Sequence, residues 1–149
     1  ITHGMHSHAR VPAGSGPAAQ GVAIYAQKCA MCHGDNGVNP RPGYAPMVGA
    51  HKFDRIDTPK TVPYYGHATT LFDVIRRSMP YQMPRTLTDD DVYALSAYVL
   101  ALNKIIGETD VMNAQTLPNV KMPNRDNFSI WDPDKIGYDP IRSQPPAMR

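Results

Sequence analysis

Residues 29–33 read Cys-Ala-Met-Cys-His, and this CxxCH pattern constrains the chemistry of the chain more tightly than any other segment. Two thiols held one helical turn apart can add to the two vinyl groups of a single porphyrin. The next residue, His33, is then placed beneath the iron, where it can serve as an axial ligand. The pattern therefore predicts one covalently attached haem c, held by Cys29 and Cys32 and ligated by His33.

The cysteine pair has two other interpretations. A structural zinc site normally uses four Cys or His ligands at paired spacings, whereas this chain has two cysteines and no second close Cys/His pair beside them. A thioredoxin-like redox pair requires a βαβ setting, and no strand pattern flanks this segment. Haem attachment is favoured because it alone also uses the histidine that follows the second cysteine.

The second axial ligand is expected in residues 79–84, which contain two Met-Pro pairs. A thioether opposite histidine favours Fe(II) and raises the reduction potential, as an electron carrier requires. Met79 is the favoured ligand because it ends a predicted helix and precedes a proline that stiffens the loop. Met83 is the runner-up, His67 and His51 are further alternatives, and ordinary packing of the methionines is the remaining interpretation.

Three predicted helices position these residues. The first begins after Pro17 and carries apolar residues at helical spacing: Val22, Tyr25, Ala26 and Cys29. The second spans about residues 70–78, just before Met79. The third begins at Thr88, an N-cap residue followed by three aspartates that suit the positive end of a helix dipole. The expected buried face of this third helix is formed by Val92, Leu95, Val99 and Leu102.

The chain of 149 residues is long enough for one domain, predicted over residues 18–106. Residues 1–17 contain three histidines and a Pro/Gly/Ser/Ala stretch without periodicity, which predicts a flexible tail. Residues 107–149 are expected to form an extended, mostly irregular C-terminal extension. It is expected to wrap the domain or dock on a partner, because Trp131 and Ile136 would be costly to leave in water.

Charge and hydropathy narrow the class of protein. No run of about 18 apolar residues is present, so no transmembrane segment is predicted. The formal net charge is +2, and aromatic residues do not alternate with basic ones as a nucleic-acid-binding surface requires. Basic residues lie near the expected haem segments and either steer the molecule toward an acidic partner or are simply solvated: Lys52, Arg55, Lys60, Arg76, Arg77 and Arg85.

Residues 21–103 resemble a class I cytochrome c. Gly21 and Tyr25 precede the first cysteine at the positions where this family places a small and an aromatic residue. Leu95 and Tyr98 are the corresponding partners in the last helix. The resemblance implies an all-α fold in which the first and last helices cross in contact.

Pro46, which precedes an apolar-Gly pair shortly after the CxxCH motif, is a second feature of this resemblance. The resemblance implies that the Pro46 carbonyl oxygen accepts the Nδ1 proton of His33, which orients the ring and raises its basicity. A turn proline without any haem contact is the alternative.

Residues 67–80 and 87–98 resemble the cytochrome subunits of bacterial sulfite and sulfane dehydrogenases, and residues 120–126 are similar to a tail segment of the same group. In those systems a partner subunit that carries molybdopterin oxidises an inorganic sulfur species and passes electrons singly to the haem. The first Met-Pro pair supplies the axial ligand there, which supports Met79. Residues 65–67, Tyr-Gly-His, depart from the aromatic pattern expected at this position.

The expected function is electron transfer by a single-haem c-type cytochrome that is not itself an enzyme. Its expected partners are a molybdopterin-containing sulfite dehydrogenase subunit and a downstream cytochrome or terminal oxidase. A general shuttle between respiratory complexes is one alternative, and a haem enzyme acting on a sulfur compound or peroxide is another. Covalent haem attachment generally takes place outside the cytoplasm, so the bacterial periplasm is the expected compartment. The chain begins at Ile1 without a leader, as expected of a processed or trimmed protein.

Overall fold

Four α-helices, two short strands and three 3₁₀ turns form the computed structural model over the residues that it describes, 10–53 and 59–127. In chain order the regular elements are β1 (Ser15–Pro17), α1 (Ala18–Lys28), α2 (Ala30–His33), α3 (Ala68–Ser78), α4 (Asp89–Leu102) and β2 (Val111–Asn113). The 3₁₀ turns are Val62–Tyr64, Leu117–Asn119 and Arg125–Asn127. Within these ranges no helix is both long and apolar enough to cross a bilayer.

Helices α1 and α4 cross in close contact at Gly21. A Cβ atom on this glycine would overlap the backbone carbonyl oxygen of Ala94, so only a residue without a side chain permits the approach. Tyr25 fills the next turn, where its ring meets Tyr98 edge to face at 5.2 Å between centroids. Its hydroxyl donates a 2.8 Å hydrogen bond to the Gly34 carbonyl oxygen. The predicted crossing of the first and last helices is confirmed.

The buried face of α1 coincides only in part with the apolar residues at helical spacing. Ala18, Gly21 and Tyr25 are buried, whereas Val22 is 47% exposed and Ala26 lies at the surface. Successive helical residues are about 100° apart, so a helix that presents Gly21 to its neighbour turns Val22 away. The close backbone approach at the glycine, rather than the apolar spacing, therefore sets the orientation of α1.

Helix α4 is the central element of the core. As predicted, it begins after Thr88, whose Oγ1 accepts the Asp91 amide at 3.1 Å while Asp91 Oδ2 accepts the Thr88 amide at 3.2 Å. Its buried residues are spread around the helix: Val92, Tyr93, Ala94, Leu95, Ser96, Ala97, Val99 and Leu100. Leu102, expected on the buried face, is half-buried. The helix is therefore enclosed on several sides, and a single predicted face was too narrow.

Helix α3 begins two residues before the predicted boundary and packs across the first half of α4. Phe72 meets Tyr93 with ring centroids 4.5 Å apart. The helix ends where the amide of Met79 donates to the Ile75 carbonyl oxygen at 3.1 Å. The end of α3 therefore fixes the backbone of the methionine that the sequence selects as a ligand.

Residues 10–17 are packed against α4, so the prediction of a flexible tail does not hold for this part of residues 1–17. Tyr93 donates its hydroxyl to the Pro12 carbonyl oxygen at 2.6 Å, and Asp90 Oδ1 accepts the Ser15 amide at 2.8 Å. A Cβ atom on Gly16 would overlap the Ala94 backbone. Residues 1–9, with His3, His6 and His8, lie outside the part of the chain that the structure describes.

Strands β1 and β2 pair antiparallel, with Ser15 opposite Asn113 and Pro17 opposite Val111. The sequence predicted an all-α fold, and this pair of strands shows that the fold is not strictly all-α. Strands of three residues are too short to show a recognisable alternation of apolar and polar side chains. Their pairing depends on contacts between distant parts of the chain.

Residues 107–127 lie along the helices. Met112, Leu117 and Met122 are buried in the same core, and Asn124 Nδ2 donates to the Tyr64 carbonyl oxygen at 2.7 Å. The domain therefore continues past the predicted boundary at residue 106. Residues 128–149, which include Trp131 and Ile136, fall outside the described ranges, and their wrapping or docking stays a prediction.

Buried tyrosines should make the fold sensitive to alkaline pH. Burial raises the pKa of Tyr25, and also of Tyr93 and Tyr98, above the ordinary tyrosine value of about 10. Above that pH the unfolded chain releases phenolic protons that the folded chain retains, so the free energy of unfolding falls as pH rises. Denaturant titrations above pH 10 should show that the free energy of unfolding falls less steeply with pH for Tyr25→Phe than for the unmodified protein.

The matched control for this experiment is Tyr81→Phe, at a side chain that is 76% exposed, and it should leave the pH dependence unchanged. At neutral pH Tyr25→Phe should itself cost about 1 kcal/mol, because the Gly34 carbonyl oxygen loses its donor. An identical alkaline slope in all three proteins would contradict the role of Tyr25.

Candidate haem site

The two cysteines lie where α1 passes into α2. The carbonyl oxygen of Cys29 accepts the amides of Cys32 at 3.1 Å and His33 at 3.0 Å, so one helical turn separates the two thiols. Both are free and half-buried. The CxxCH segment therefore has the local geometry that attachment to a single porphyrin requires.

The chemistry of Cys29 differs from that of a redox-active cysteine. Burial and the neighbouring Cys32 raise the pKa of the Cys29 thiol to about 11, although Lys28 acts in the opposite direction. Nucleophilic cysteines of thioredoxin-like pairs have lowered pKa values, because the thiolate is the reactive form. The environment of Cys29 therefore argues against a dithiol redox site.

His33 is oriented by a backbone carbonyl group. Its Nδ1 lies 3.1 Å from the Ala45 oxygen, and an Nδ1–H donated to this oxygen leaves Nε2 available to a metal. The prediction gave this role to Pro46, and the structure gives it to the preceding residue. A residue before proline is held extended, where successive carbonyl groups point in different directions, so only one of the two faces the imidazole.

The loop that carries Ala45 is anchored from two sides. The Gly37 carbonyl oxygen accepts the Met47 amide at 2.8 Å. Asn103, at the end of α4, donates from Nδ2 to the Met47 carbonyl oxygen at 3.2 Å and accepts the Gly49 amide at 3.2 Å. The orientation of His33 therefore depends on contacts that begin at the far end of the central helix.

The candidate ligands on the other side differ in their environments. Met79 is half-buried and packs against the hydrophobic core, whereas Met83 is 57% exposed. His51 Nε2 lies at hydrogen-bond distance, 2.7 Å, from the Asn103 carbonyl oxygen. This contact occupies a ring nitrogen that could otherwise bind iron. His67 is the half-buried N-cap residue of α3. These surroundings favour Met79, and its ligation of iron stays a prediction.

Exposed apolar side chains border the attachment motif and the methionine loop. Tyr44 lies edge to face with His33 at 6.2 Å, and its hydrogen bond with the Cys32 side chain raises the pKa of the Tyr44 hydroxyl. Met31 and Tyr81 are 58% and 76% exposed. We refer to these residues and Met83, which is 57% exposed, as the apolar rim. Exposed apolar groups that form one continuous patch are typical of surfaces that contact another molecule.

The donor set and one buried hydroxyl fit a c-type haem. An imidazole and a thioether are suitable axial ligands, and two thiols are present for attachment. Thr61 Oγ1 is buried without a hydrogen-bond partner in the described part of the chain, and the side chain packs against Gly49 in the loop after Ala45. Buried hydroxyls normally have partners, so a bound group with carboxylates suits this position. Across residues 10–53 and 59–127, no three His, Cys, Asp or Glu side chains are grouped to hold a metal ion.

Two positioning residues were missed by the sequence analysis. Ala45 has no polar side chain and acts only through its carbonyl group. Asn103 follows an apolar helix, which indicates a helix end, but no local signal shows that its amide reaches residues 47 and 49.

Comparisons with known proteins add three matches. A family model described as "Cytochrome C oxidase, cbb3-type, subunit III" matches residues 16–99. A thiosulfate dehydrogenase of Stutzerimonas stutzeri (strain A1501) is 31% identical over an alignment of 98 residues, and the match covers 59% of this chain and 28% of that protein. The crystal structure of the sulfane dehydrogenase SoxCD from Paracoccus pantotrophus has a TM-score of 0.77 and 31% identity, and the match covers 93% of this chain and 68% of that one.

Proposed function

This chain belongs to the cytochrome c family described as cytochrome c oxidase, cbb3-type, subunit III, and we therefore propose that it is a single-haem c-type cytochrome that transfers one electron at a time. Within this proposal it is the redox subunit, or the direct electron acceptor, of a molybdenum dehydrogenase that oxidises sulfite or a related sulfur species. It operates in the bacterial periplasm and passes electrons to a downstream cytochrome or terminal oxidase.

The observation that carries the proposal is the arrangement of His33. It stands on the same turn as both cysteines, and the Ala45 carbonyl group orients its ring so that Nε2 is free. A haem bound here supplies a one-electron Fe(III)/Fe(II) couple. Cys29 and Cys32 would hold that group through two thioether links, His33 would supply an oriented imidazole, and Met79 would offer its sulfur from the end of α3.

Two of the matches support a link to inorganic sulfur. The solved sulfane dehydrogenase covers nearly the whole chain, and the thiosulfate dehydrogenase is similar over a shorter stretch. This chain spans only 28% of the thiosulfate dehydrogenase, so the similarity does not extend to most of that enzyme.

The apolar rim supports docking of a partner close to the attached haem. Met31 is part of the CxxCH motif, and Tyr81 and Met83 lie in the methionine loop. Electron transfer between proteins requires a short distance between redox centres and no covalent contact with substrate. Exposed apolar side chains in and beside the attachment motif are suited to such a contact.

The test is reduction of the ferric holoprotein by purified dehydrogenases. With sulfite and a molybdenum sulfite dehydrogenase, or with the catalytic subunit of a sulfane dehydrogenase and its substrate, the haem absorption should change to the ferrous spectrum at a rate that depends on dehydrogenase concentration. Equal rates with unrelated respiratory donors would favour the general shuttle. Reduction or turnover by the sulfur compound alone would favour a haem enzyme.

A pair of charge variants tests the docking surface in the same assay. Tyr81→Lys places a charge on the apolar rim and should slow reduction on the order of tenfold, which corresponds to about 1.4 kcal/mol. Val111→Lys places the same charge on strand β2, at a side chain that is 44% exposed, and should leave the rate unchanged. Equal effects of the two variants would show that overall charge, and not the rim, controls the rate.

A further inference from the structure

Within the described polypeptide, the segment between α3 and α4 has few contacts with the rest of the domain. Side chains of residues 81–86 are exposed, and the segment is organised by its own turn contacts. The Met83 amide donates to the Pro80 carbonyl oxygen at 2.9 Å, and Thr86 Oγ1 donates to the Met83 carbonyl oxygen at 2.8 Å. Only Met79 and Leu87, at its two ends, pack against the core. The position of Met79 therefore depends on how the two ends are held.

An ion pair joins these two ends. Arg76, in the last turn of α3, donates from Nε to Oδ1 of Asp89, the first residue of α4, at 2.7 Å. The pair spans thirteen positions of the chain and encloses the whole methionine segment. The hydrogen bond to Asp89 also raises the pKa of Arg76, as expected of a guanidinium group that stays charged in this contact.

We propose that Arg76 and Asp89 are positioning residues that set how firmly the Met79 sulfur is held on the haem iron. The inference rests on the Met79 ligation proposed above. Phe72 and Tyr93 hold α3 and α4 together farther from the loop. Loss of the ion pair therefore frees the ends of the methionine segment while leaving the helix packing in place.

The chain provides a matched control in the adjacent residue. Arg77 forms a pair of the same chemistry with Asp73, with Nε and Oδ1 2.6 Å apart. This pair lies within α3, at i and i+4, and does not span the loop. Its side chains are 67% and 45% exposed, compared with 46% and 34% for Arg76 and Asp89. Arg77→Gln removes the same charge as Arg76→Gln from the neighbouring position.

The experiment measures how fast imidazole displaces the native ligand from the ferric holoprotein. Displacement is monitored through the loss of the weak far-red absorption band of methionine-ligated haem. Neutral imidazole is used so that protein charge does not alter its approach. Arg76→Gln and Asp89→Asn should each accelerate displacement about two- to fivefold at low salt, the range expected for a surface ion pair. The double variant should be no faster than either single one, and Arg77→Gln should match the unmodified protein.

Added salt provides an independent check. High ionic strength weakens an exposed pair, so it should accelerate displacement in the unmodified protein and reduce the difference from Arg76→Gln. The inference is overturned if Arg77→Gln accelerates displacement as much as Arg76→Gln, or if neither member of the loop-spanning pair has an effect. It is also overturned if the acceleration equals the change in global unfolding rate. Failure of Met79 ligation itself is seen separately, as absence of the band in the unmodified protein.

Discussion

Replacement of Met79 by alanine should abolish the far-red absorption band of the ferric holoprotein and lower its reduction potential on the order of 0.2 V, a fraction of the roughly 0.8 V range that axial ligands span. The thioether is a soft ligand that stabilises Fe(II), and removal of it leaves the site to water or another weak donor. Met79 is half-buried against the core at the end of α3, where no other methionine of the loop can replace it without rearrangement. Optical spectra and a redox titration measure both effects.

Met83→Ala is the control for this experiment. Met83 belongs to the same loop and also precedes a proline, but its side chain is 57% exposed. We expect this variant to retain the band and the potential. If the band is lost in Met83→Ala and retained in Met79→Ala, Met83 is the iron ligand and Met79 is not. If the unmodified protein lacks the band, methionine is not the ligand. That result would favour ligation by a histidine or a catalytic haem.

A single methyl group at Gly21 should destabilise the fold on the order of 3 kcal/mol. The Cβ atom of Gly21→Ala would overlap the backbone oxygen of Ala94, and a backbone atom cannot move aside as a flexible side chain can. Helices α1 and α4 must then separate, which opens the packing of Tyr25 beneath them. The gain in helix propensity from alanine, about 1 kcal/mol, offsets only part of this cost. The midpoint of denaturant unfolding, read by circular dichroism, measures the change.

Gly107→Ala tests whether the effect comes from the crossing and not from the loss of any glycine. A Cβ atom at Gly107 would make only ordinary contacts with Asp110, at 3.4 Å and beyond. This variant should unfold within about 0.5 kcal/mol of the unmodified protein. If Gly21→Ala and Gly107→Ala are equally stable, helices α1 and α4 cross less closely than the structure indicates.

The parts of the site that local sequence chemistry determines were predictable. The CxxCH motif specifies its own spacing, and Thr88 with Asp91 forms the expected cap. The resemblance to class I cytochromes and to the cytochrome subunits of sulfur-oxidising dehydrogenases is confirmed by the family and structural matches. The CxxCH spacing and the cap of α4 could be predicted because each depends on residues a few positions apart.

The missed features depend on contacts between distant residues. Val22 belongs to the apolar residues at helical spacing in α1 but is exposed, because the close approach at Gly21 sets the orientation of the helix. The carbonyl oxygen that faces His33 belongs to Ala45, since a proline pattern does not specify which of two neighbouring carbonyl groups turns inward. The packed segment at residues 10–17 lacks periodicity and gains its structure from α4 and β2.

The pairing of β1 with β2 has a consequence for the order of events in biosynthesis. Ser15 meets Asn113, so this contact closes almost the entire domain into one loop, at an entropic cost of about 4 kcal/mol for a loop of that length. Folds dominated by such remote contacts assemble slowly, whereas the turn that carries the CxxCH segment requires only local hydrogen bonds. The turn that carries Cys29 and Cys32 can therefore form before the two ends of the domain meet around α4.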